Sequence, residues 1–380
     1  MGTWMGLGLL LAPIIADPSA PPMIGAKSAI LIDEVSGKVL YSKEPDMRCY
    51  PASTTKVMTA MLLLERCRPE EKIKVPKKLE FIDGASLNLK PGEVFTATNL
   101  IRGILWRSAN DACEVAATHV AGSVTKFVDL MNSRAKAIGC TNTTFTNPHG
   151  LPDEKHMTTV HDLSLIARQG MKDPEFRAIV AQRKGKISRS INQADTTIIS
   201  KNKVLDLDPT ADGIKTGYTR AARGCYIGSA SRNGSRFISV ILGSEDSLGE
   251  HMALMDWGHA VFQSRVLKQD EYSDYRGEVH QGNGPVRAGI ARDTRVVMGP
   301  DVQASTSFYE LTAPVSKGMV VGELVLTDAA GTEERLPLVA HESVPLRESS
   351  LSTMGLAGFA MLSLLAMRRK RIRMTRAWEA

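Results

Sequence analysis

The chain has 380 residues, 43% of them hydrophobic, and a formal charge of +6. That length predicts more than one domain and that apolar content supplies a real core. The charge does not point to nucleic acid. Six basic residues (Arg368, Arg369, Lys370, Arg371, Arg373, Arg376) crowd the end of the chain with one acid, Glu379, and the remaining body is nearly neutral, without a basic stripe.

In chain order, residues 1–22 are apolar up to Asp17 and read as a signal-peptide-like segment, with Ala16 or Ala20 as a cleavage point and no basic residues ahead of the apolar run. Residues 26–44 predict a strand, a turn at Ser36-Gly37 and a second strand. PASTTKVMTAMLLLE, 51–65, predicts a buried helix with Ser53 and Lys56 at its mouth. KIKVPKK, 72–78, reads as solvated surface. ATNLIRGILWR, 97–107, predicts an amphipathic helix capped by Thr98 or Asn99. Helices follow over 111–122 and 124–139, then a turn-rich loop, TNPHGLPD, and a helix over 158–171. Strands return at 212–219, 225–231 and 236–243, the last two joined across Asn233-Gly234, and a helix over 249–263 closes the region. Strands at both ends of a helical block predict an α+β domain over 23–264, with one antiparallel sheet and helices packed against it. Residues 265–348 alternate over short stretches with Gly and Pro turns and predict a small all-β domain.

Residues 349–367 carry no charge. As a helix at ~1.5 Å per residue they cross the hydrocarbon core, and the basic tail 368–380 stays cytoplasmic. The expected arrangement is a single-pass membrane protein with its body on the extracytoplasmic face.

The chemistry centres on Ser53-x-x-Lys56. Residues three apart share a helix face. A serine hydroxyl needs a base, and lysine serves only when neutral. Burial and the positive end of a helix both disfavour an ammonium there. The spacing alone is weak, since it recurs at Ser123/Lys126, Ser133/Lys136 and Ser200/Lys203. Likewise S-x-N occurs at Ser86, Ser108, Ser190, Ser200 and Ser231, but Lys215-Thr216-Gly217 occurs once. Context selects among them. Ser53 opens a long apolar helix, Ser108-Ala109-Asn110 sits in a tight turn between helices, and Lys215 to Gly217 lie on a strand where glycine admits a substrate backbone.

The five cysteines, Cys49, Cys67, Cys113, Cys140 and Cys225, show no C-x-x-C spacing and read as buried small side chains, with Cys49 and Cys113 near the motifs. His156 and His161 are five apart, a poor ligand spacing, and are expected on the surface. His149 is expected to shape its loop and Trp106 to be core. No metal or cofactor is expected.

S-x-x-K, S-x-N and K-T-G in this order resemble the motif set of the penicillin-binding proteins. The chain resembles the serine-type D-alanyl-D-alanine carboxypeptidases, the low-molecular-mass members of that group (peptidase family S11), over about 26–347. GASLNLKPGE, RSANDA, FTNPHGL and DGIKTGYT carry the resemblance, while NKVL at 202–205 and RAARG after Thr219 depart slightly from it. The resemblance implies a β-lactamase/transpeptidase-like fold, peptidoglycan stem peptides as substrates, β-lactams as acylating ligands and a C-terminal membrane segment. It implies Ser53 as nucleophile, Lys56 as base, Ser108 as proton relay, Asn110 as the group orienting Lys56 and substrate, and Lys215 and Thr216 as carboxylate binders. Gly217 and Tyr218 complete the substrate-binding strand, with the backbone N–H groups of Ser53 and Tyr218 as the oxyanion hole. Three alternatives compete: a D,D-endopeptidase, a class A-like β-lactamase, for which no deacylating glutamate is found, and a non-catalytic wall-binding scaffold.

Overall fold

The computed structural model describes residues 20–78, 81–193, 196–329 and 331–347. The signal-like stretch up to residue 19, the apolar run 349–367 and the tail 368–380 lie outside the described residues. Among the described residues no helix is long and apolar enough to cross a membrane. The chain divides after Ser264 into two compact units.

The first unit opens with the hairpin β1 (Ser28–Asp33) and β2 (Val39–Lys43). Asp33 closes its turn by accepting from the Ser36 N–H at 2.8 Å and hydroxyl at 2.7 Å, and Gly37 takes the left-handed φ of +80°. A 3-10 turn, Ala52–Thr55, leads directly into α1 (Lys56–Arg66), whose first eight residues are buried. The segment expected as solvated surface is instead β3 (Lys72–Lys74), paired with β4 (Val94–Thr96). Ile73 and Val75 are buried while the lysines between and beside them face solvent, so the segment is a half-buried strand.

Next, α2 (Ala97–Arg102) is capped by Thr96, whose side chain accepts from Asn99 N–H, rather than by Thr98 or Asn99. It continues as a π-helical turn, Gly103–Arg107, ending at Ser108, which takes a left-handed φ of +64°. Then come α3 (Asn110–Ala121), α4 (Val124–Ile138), α5 (Val160–Gly170) and α6 (Pro174–Val180). The Ser123/Lys126 spacing is explained here: Ser123 caps α4 by accepting from Lys126 N–H. A small pair, β5 (Lys184–Lys186) and β6 (Thr197–Ile199), and a short helix α7 (Val204–Leu207) precede the long strands β7 (Ala211–Thr219), β8 (Arg223–Arg232) and β9 (Ser235–Ser244), and α8 (Ser247–Val261) follows.

The main sheet has the order β2-β1-β9-β8-β7, antiparallel throughout. Asn233 and Gly234 both take positive φ in the β8–β9 turn, as a two-residue hairpin requires. Strands alternate faces, so β9 sends Ile238, Val240 and Leu242 into the large core built with α1, α2, α3 and α5, and Ile241 into a second cluster with Ala29 and Leu254 of α8. Helices therefore cover both faces, and β7 is left at the sheet edge.

In the second unit, β10 (Gln263–Leu267), which leads into it, pairs with β13 (Thr294–Met298). A five-stranded antiparallel sheet follows the order β11 (Tyr275–Gly277), β12 (Val286–Ile290), β16 (Glu333–Ala340), β15 (Val320–Thr327) and β14 (Gln303–Phe308). Its core includes Val286, Ile290, Met298, Val321, Leu324 and Leu338.

Candidate active site

Ser53 stands in the 3-10 turn, and polar contacts hold that turn from below. Thr54 Oγ1 donates to the Pro51 carbonyl at 2.6 Å, and Thr55 Oγ1 donates to the Ala52 carbonyl at 2.9 Å. Ala52 takes φ +48°, a costly conformation for a residue with a Cβ. His156 supports Thr55 across 101 residues of sequence. Its Nδ1 accepts from the Thr146 N–H at 3.0 Å, which leaves Nε2–H to donate to Thr55 Oγ1 at 2.9 Å. Expected on the surface, His156 is only 1% exposed. Burial, with the His149 charge second, pushes its pKa down to about 4, so it is a neutral prop at physiological pH.

The loop 147–151 packs over the same turn. A Cβ on Gly150 would sit 1.8 Å from the Ala52 carbonyl oxygen, so only glycine fits there, at φ +86°. Asn147 Oδ1 accepts from Gly150 N–H at 2.7 Å, and Thr59 Oγ1 donates to the Pro148 carbonyl at 2.6 Å. His149 does shape this loop: its Nδ1 accepts from Leu151 N–H at 3.3 Å, and its Nε2 lies 3.3 Å from Glu114.

Lys56 is wholly buried at the start of α1. Its Nζ lies 3.1 Å from Ser53 Oγ, 2.7 Å from Asn110 Oδ1 and 2.5 Å from the His149 carbonyl. Two of these partners only accept; the third is a hydroxyl, which both donates and accepts. A neutral amine, with two N–H groups and one lone pair, matches that set when the lone pair faces Ser53. Desolvation lowers the Lys56 pKa to about 8, so an appreciable neutral fraction exists near neutrality.

Asn110 opens α3 and is fixed from its other side, with Nδ2 donating to the Asp83 carbonyl at 2.6 Å and its own N–H to the Ala85 carbonyl at 2.7 Å. Its neighbour Asp111 pins the loop 86–89, accepting from Ser86 Oγ at 2.6 Å, Leu87 N–H at 3.0 Å and Leu89 N–H at 3.1 Å. Ser108 Oγ accepts from Lys215 Nζ at 3.1 Å, and Lys215 Nζ also reaches the Thr216 carbonyl at 2.8 Å. Lys215 is 1% exposed. Burial, then the charges of Lys56 and Lys201, push its pKa well below the usual lysine value.

Gly217 brings β7 against the nucleophile turn: a Cβ there would lie 2.9 Å from Ser53 N. Tyr218 is 66% exposed beside it. Ser53, Ser108, Asn110, Thr216, Gly217 and Tyr218 line one cleft of about 240 Å³, with Lys201 and Gly150. The seven residues of the three motifs and Tyr218 thus converge, with buried Lys56 and Lys215 bonded to the cleft-lining Ser53 and Ser108. The described lining contains no carboxylate. Lys201 and His156 are additions that no motif marked, and Asp111, within RSANDA, carries no role in the motifs. Trp106 is core, 1% exposed, its Nε1 donating to the Ile179 carbonyl at 2.7 Å.

Residues 16–246 match the family model described as D-alanyl-D-alanine carboxypeptidase, Peptidase_S11. The chain is 32% identical over 352 residues to the D-alanyl-D-alanine carboxypeptidase DacC of Escherichia coli, covering 85% of each chain. It is 27% identical to DacF of Bacillus subtilis, over 84% of this chain and 86% of that one. Among solved structures, it resembles penicillin binding protein 5 of Haemophilus influenzae with a TM-score of 0.72 at 27% identity, covering 86% of this chain and 99% of the other. It also resembles the D-alanyl-D-alanine carboxypeptidase DacD of Francisella tularensis, with a TM-score of 0.73 at 25% identity, covering 88% and 97%. The motifs, their convergence on one cleft and these matches together place the chain in the peptidase S11 family of serine D-alanyl-D-alanine carboxypeptidases.

Proposed function

We propose that this chain removes the terminal D-alanine from peptidoglycan stem peptides through an acyl-enzyme on Ser53, and that β-lactams acylate the same oxygen. The observation that carries the reading is the Lys56 Nζ held between Ser53 Oγ and two carbonyl-type acceptors. Neutral Lys56 takes the Ser53 proton as Oγ bonds to the carbonyl carbon of the D-Ala-D-Ala link. The oxyanion is met by the backbone N–H groups of Ser53 and Tyr218, a role supported by the approach of Gly217 to Ser53 N. One such donor is worth about 100- to 1000-fold in rate.

The tetrahedral intermediate then breaks its C–N bond. The leaving amine takes a proton through Ser108, and D-alanine departs. Water attacks the ester, giving its proton to Lys56, which returns it to Ser53 Oγ as the C–Oγ bond breaks and the shortened peptide leaves. Asn110 orients Lys56 and the substrate amide. Lys215, Thr216 and Lys201 supply positive charge and a hydroxyl for the terminal carboxylate, while β7, an edge strand, offers its free side to an extended peptide. The uncharged run 349–367 and its basic tail support anchoring to the cytoplasmic membrane, with the catalytic unit on the extracytoplasmic face.

Incubating the chain with a stem pentapeptide ending in D-Ala-D-Ala should release free D-alanine and leave a tetrapeptide. Ser53→Ala should abolish both that release and labelling by fluorescent penicillin. Labelling that persists in the variant would exclude Ser53 as the nucleophile, and cleavage of cross-linked dimers into monomers without release of free D-alanine would favour the endopeptidase reading.

A further inference from the structure

We propose that Cys67, Glu71 and His119 form a binding site for one zinc ion, separate from the catalytic cleft. Their donor atoms, a sulfur, a carboxylate oxygen and a ring nitrogen, all lie within 4.8 Å of one another. Around a tetrahedral zinc with Zn–S ~2.3 Å and Zn–N ~2.0–2.1 Å, neighbouring donors stand roughly 3.3–3.6 Å apart. His119 Nε2 is 2.8 Å from Glu71 Oε1, so that contact need open by less than about 1 Å to seat the ion.

Three features favour a site over a chance grouping. Glu71 is held from behind, its Oε2 accepting from the Arg68 N–H at 3.2 Å, which leaves Oε1 facing His119. The side chains of His119 and Glu71 are 29% and 34% exposed, so an ion can reach them without unfolding the chain. The donor set mixes S, N and O, which suits a borderline ion such as zinc and disfavours magnesium and calcium, whose sites are built of oxygens. Three protein ligands leave the fourth position to water.

The placement gives the ion a structural consequence. Cys67 is the residue that ends α1, and His119 lies in the last turn of α3. The opposite ends of these two helices carry Lys56 and Asn110, joined by their 2.7 Å hydrogen bond. Zinc would therefore fasten the pair at the end away from the catalytic contact. Sequence spacing hides this set: Cys67 and Glu71 are four apart and His119 lies 48 residues beyond Glu71, unlike any C-x-x-C pattern.

The test is titration of the metal-free full chain with zinc chloride and, separately, with cobalt(II) as a coloured probe. We expect one ion per chain, an upward shift in melting temperature, a thiolate-to-cobalt charge-transfer band, and no competition from magnesium or calcium. Cys67→Ser and His119→Ala should each weaken binding by at least about 10-fold and remove the melting shift. Penicillin acylation, unchanged in both variants, reports that they are folded. Equal zinc uptake by the wild type and the Cys67→Ser/His119→Ala double variant, or a cobalt complex without the thiolate band, would overturn the proposal.

Discussion

Arg189 and Lys56 are both buried in the first unit, and their surroundings differ in one respect. Arg189 faces Glu93, with Nε 2.9 Å from Oε1 and Nη2 3.0 Å from Oε2, and both side chains are fully shielded from solvent. Burial pushes the Glu93 carboxyl up, but the bonds from Arg189 and from the Lys90 and Asn192 N–H groups outweigh it, and the net shift is downward. Lys56 faces only carbonyls and a hydroxyl, and burial lowers its pKa to about 8. A paired buried charge is satisfied and has nothing left to offer a ligand. A buried cation among neutral acceptors sheds its proton easily, which is what a base near neutrality requires.

The sharpest way to break this contrast is Lys56→Arg. Arginine keeps the positive charge and stays protonated, so it cannot take the Ser53 proton. Acylation by penicillin should slow by about 10²- to 10⁴-fold. A variant that acylates at the wild-type rate would show that charge alone, not basicity, is needed. The matching change on the paired side is Glu93→Ala, which takes from buried Arg189 the carboxylate it faces. It should destabilise the first unit by about 3–5 kcal/mol, read as a lower urea midpoint for loss of penicillin acylation. Adding Arg189→Met to a Glu93→Leu variant should recover much of that loss, because an apolar pair replaces an ion pair at little net cost. Failure to recover would mean that the pair also organises the loop at 189–193.

The contrast also fixes a pH dependence. If neutral Lys56 is the base, the acylation rate should rise roughly tenfold per pH unit below about 8 and level off above it. Second-order acylation rates from pH 6 to 9.5 check this, and a flat profile between 6 and 8 would remove Lys56 from the role. His156 does not mimic that profile, because its proton is gained only near pH 4.

Much of this arrangement was legible in the sequence, for a physical reason. The three motifs sit where the chain changes state: at a helix mouth, in a turn between helices and on a strand followed by a turn. Such places are marked by local residue choice, and so was the hairpin at Asn233-Gly234. What was not legible depends on partners distant in sequence. KIKVPKK looks solvated because its burial comes from Val94–Thr96, about twenty residues later. His156 looks like a surface residue because the groups that bury it, Thr55 and Thr146, are a fold away in one case and a loop away in the other. Thr96 rather than Thr98 caps α2 because β4 runs directly into the helix, leaving its last residue at the cap. Lys201 carries no motif, and only the folded cleft shows that it lines the same site as Thr216.

The smallest effect concerns the second unpaired lysine. Burial and the charges of Lys56 and Lys201 push Lys215 well below the usual lysine range in the empty cleft. A bound carboxylate favours the ammonium and raises that pKa again. At any pH between the two values, binding must therefore take up a fraction of a proton, and affinity must weaken as pH rises through the bound-state value. Calorimetry of a D-Ala-D-Ala peptide binding to the Ser53→Ala chain, in two buffers of different ionisation enthalpy, measures that proton directly. Lys215→Met should abolish the uptake, and Lys201→Met should reduce it, because the empty-cleft pKa of Lys215 then starts higher. A heat independent of buffer in the unaltered cleft would mean that Lys215 is already charged before the carboxylate arrives, and that the contrast with Arg189 is one of partners rather than of protonation.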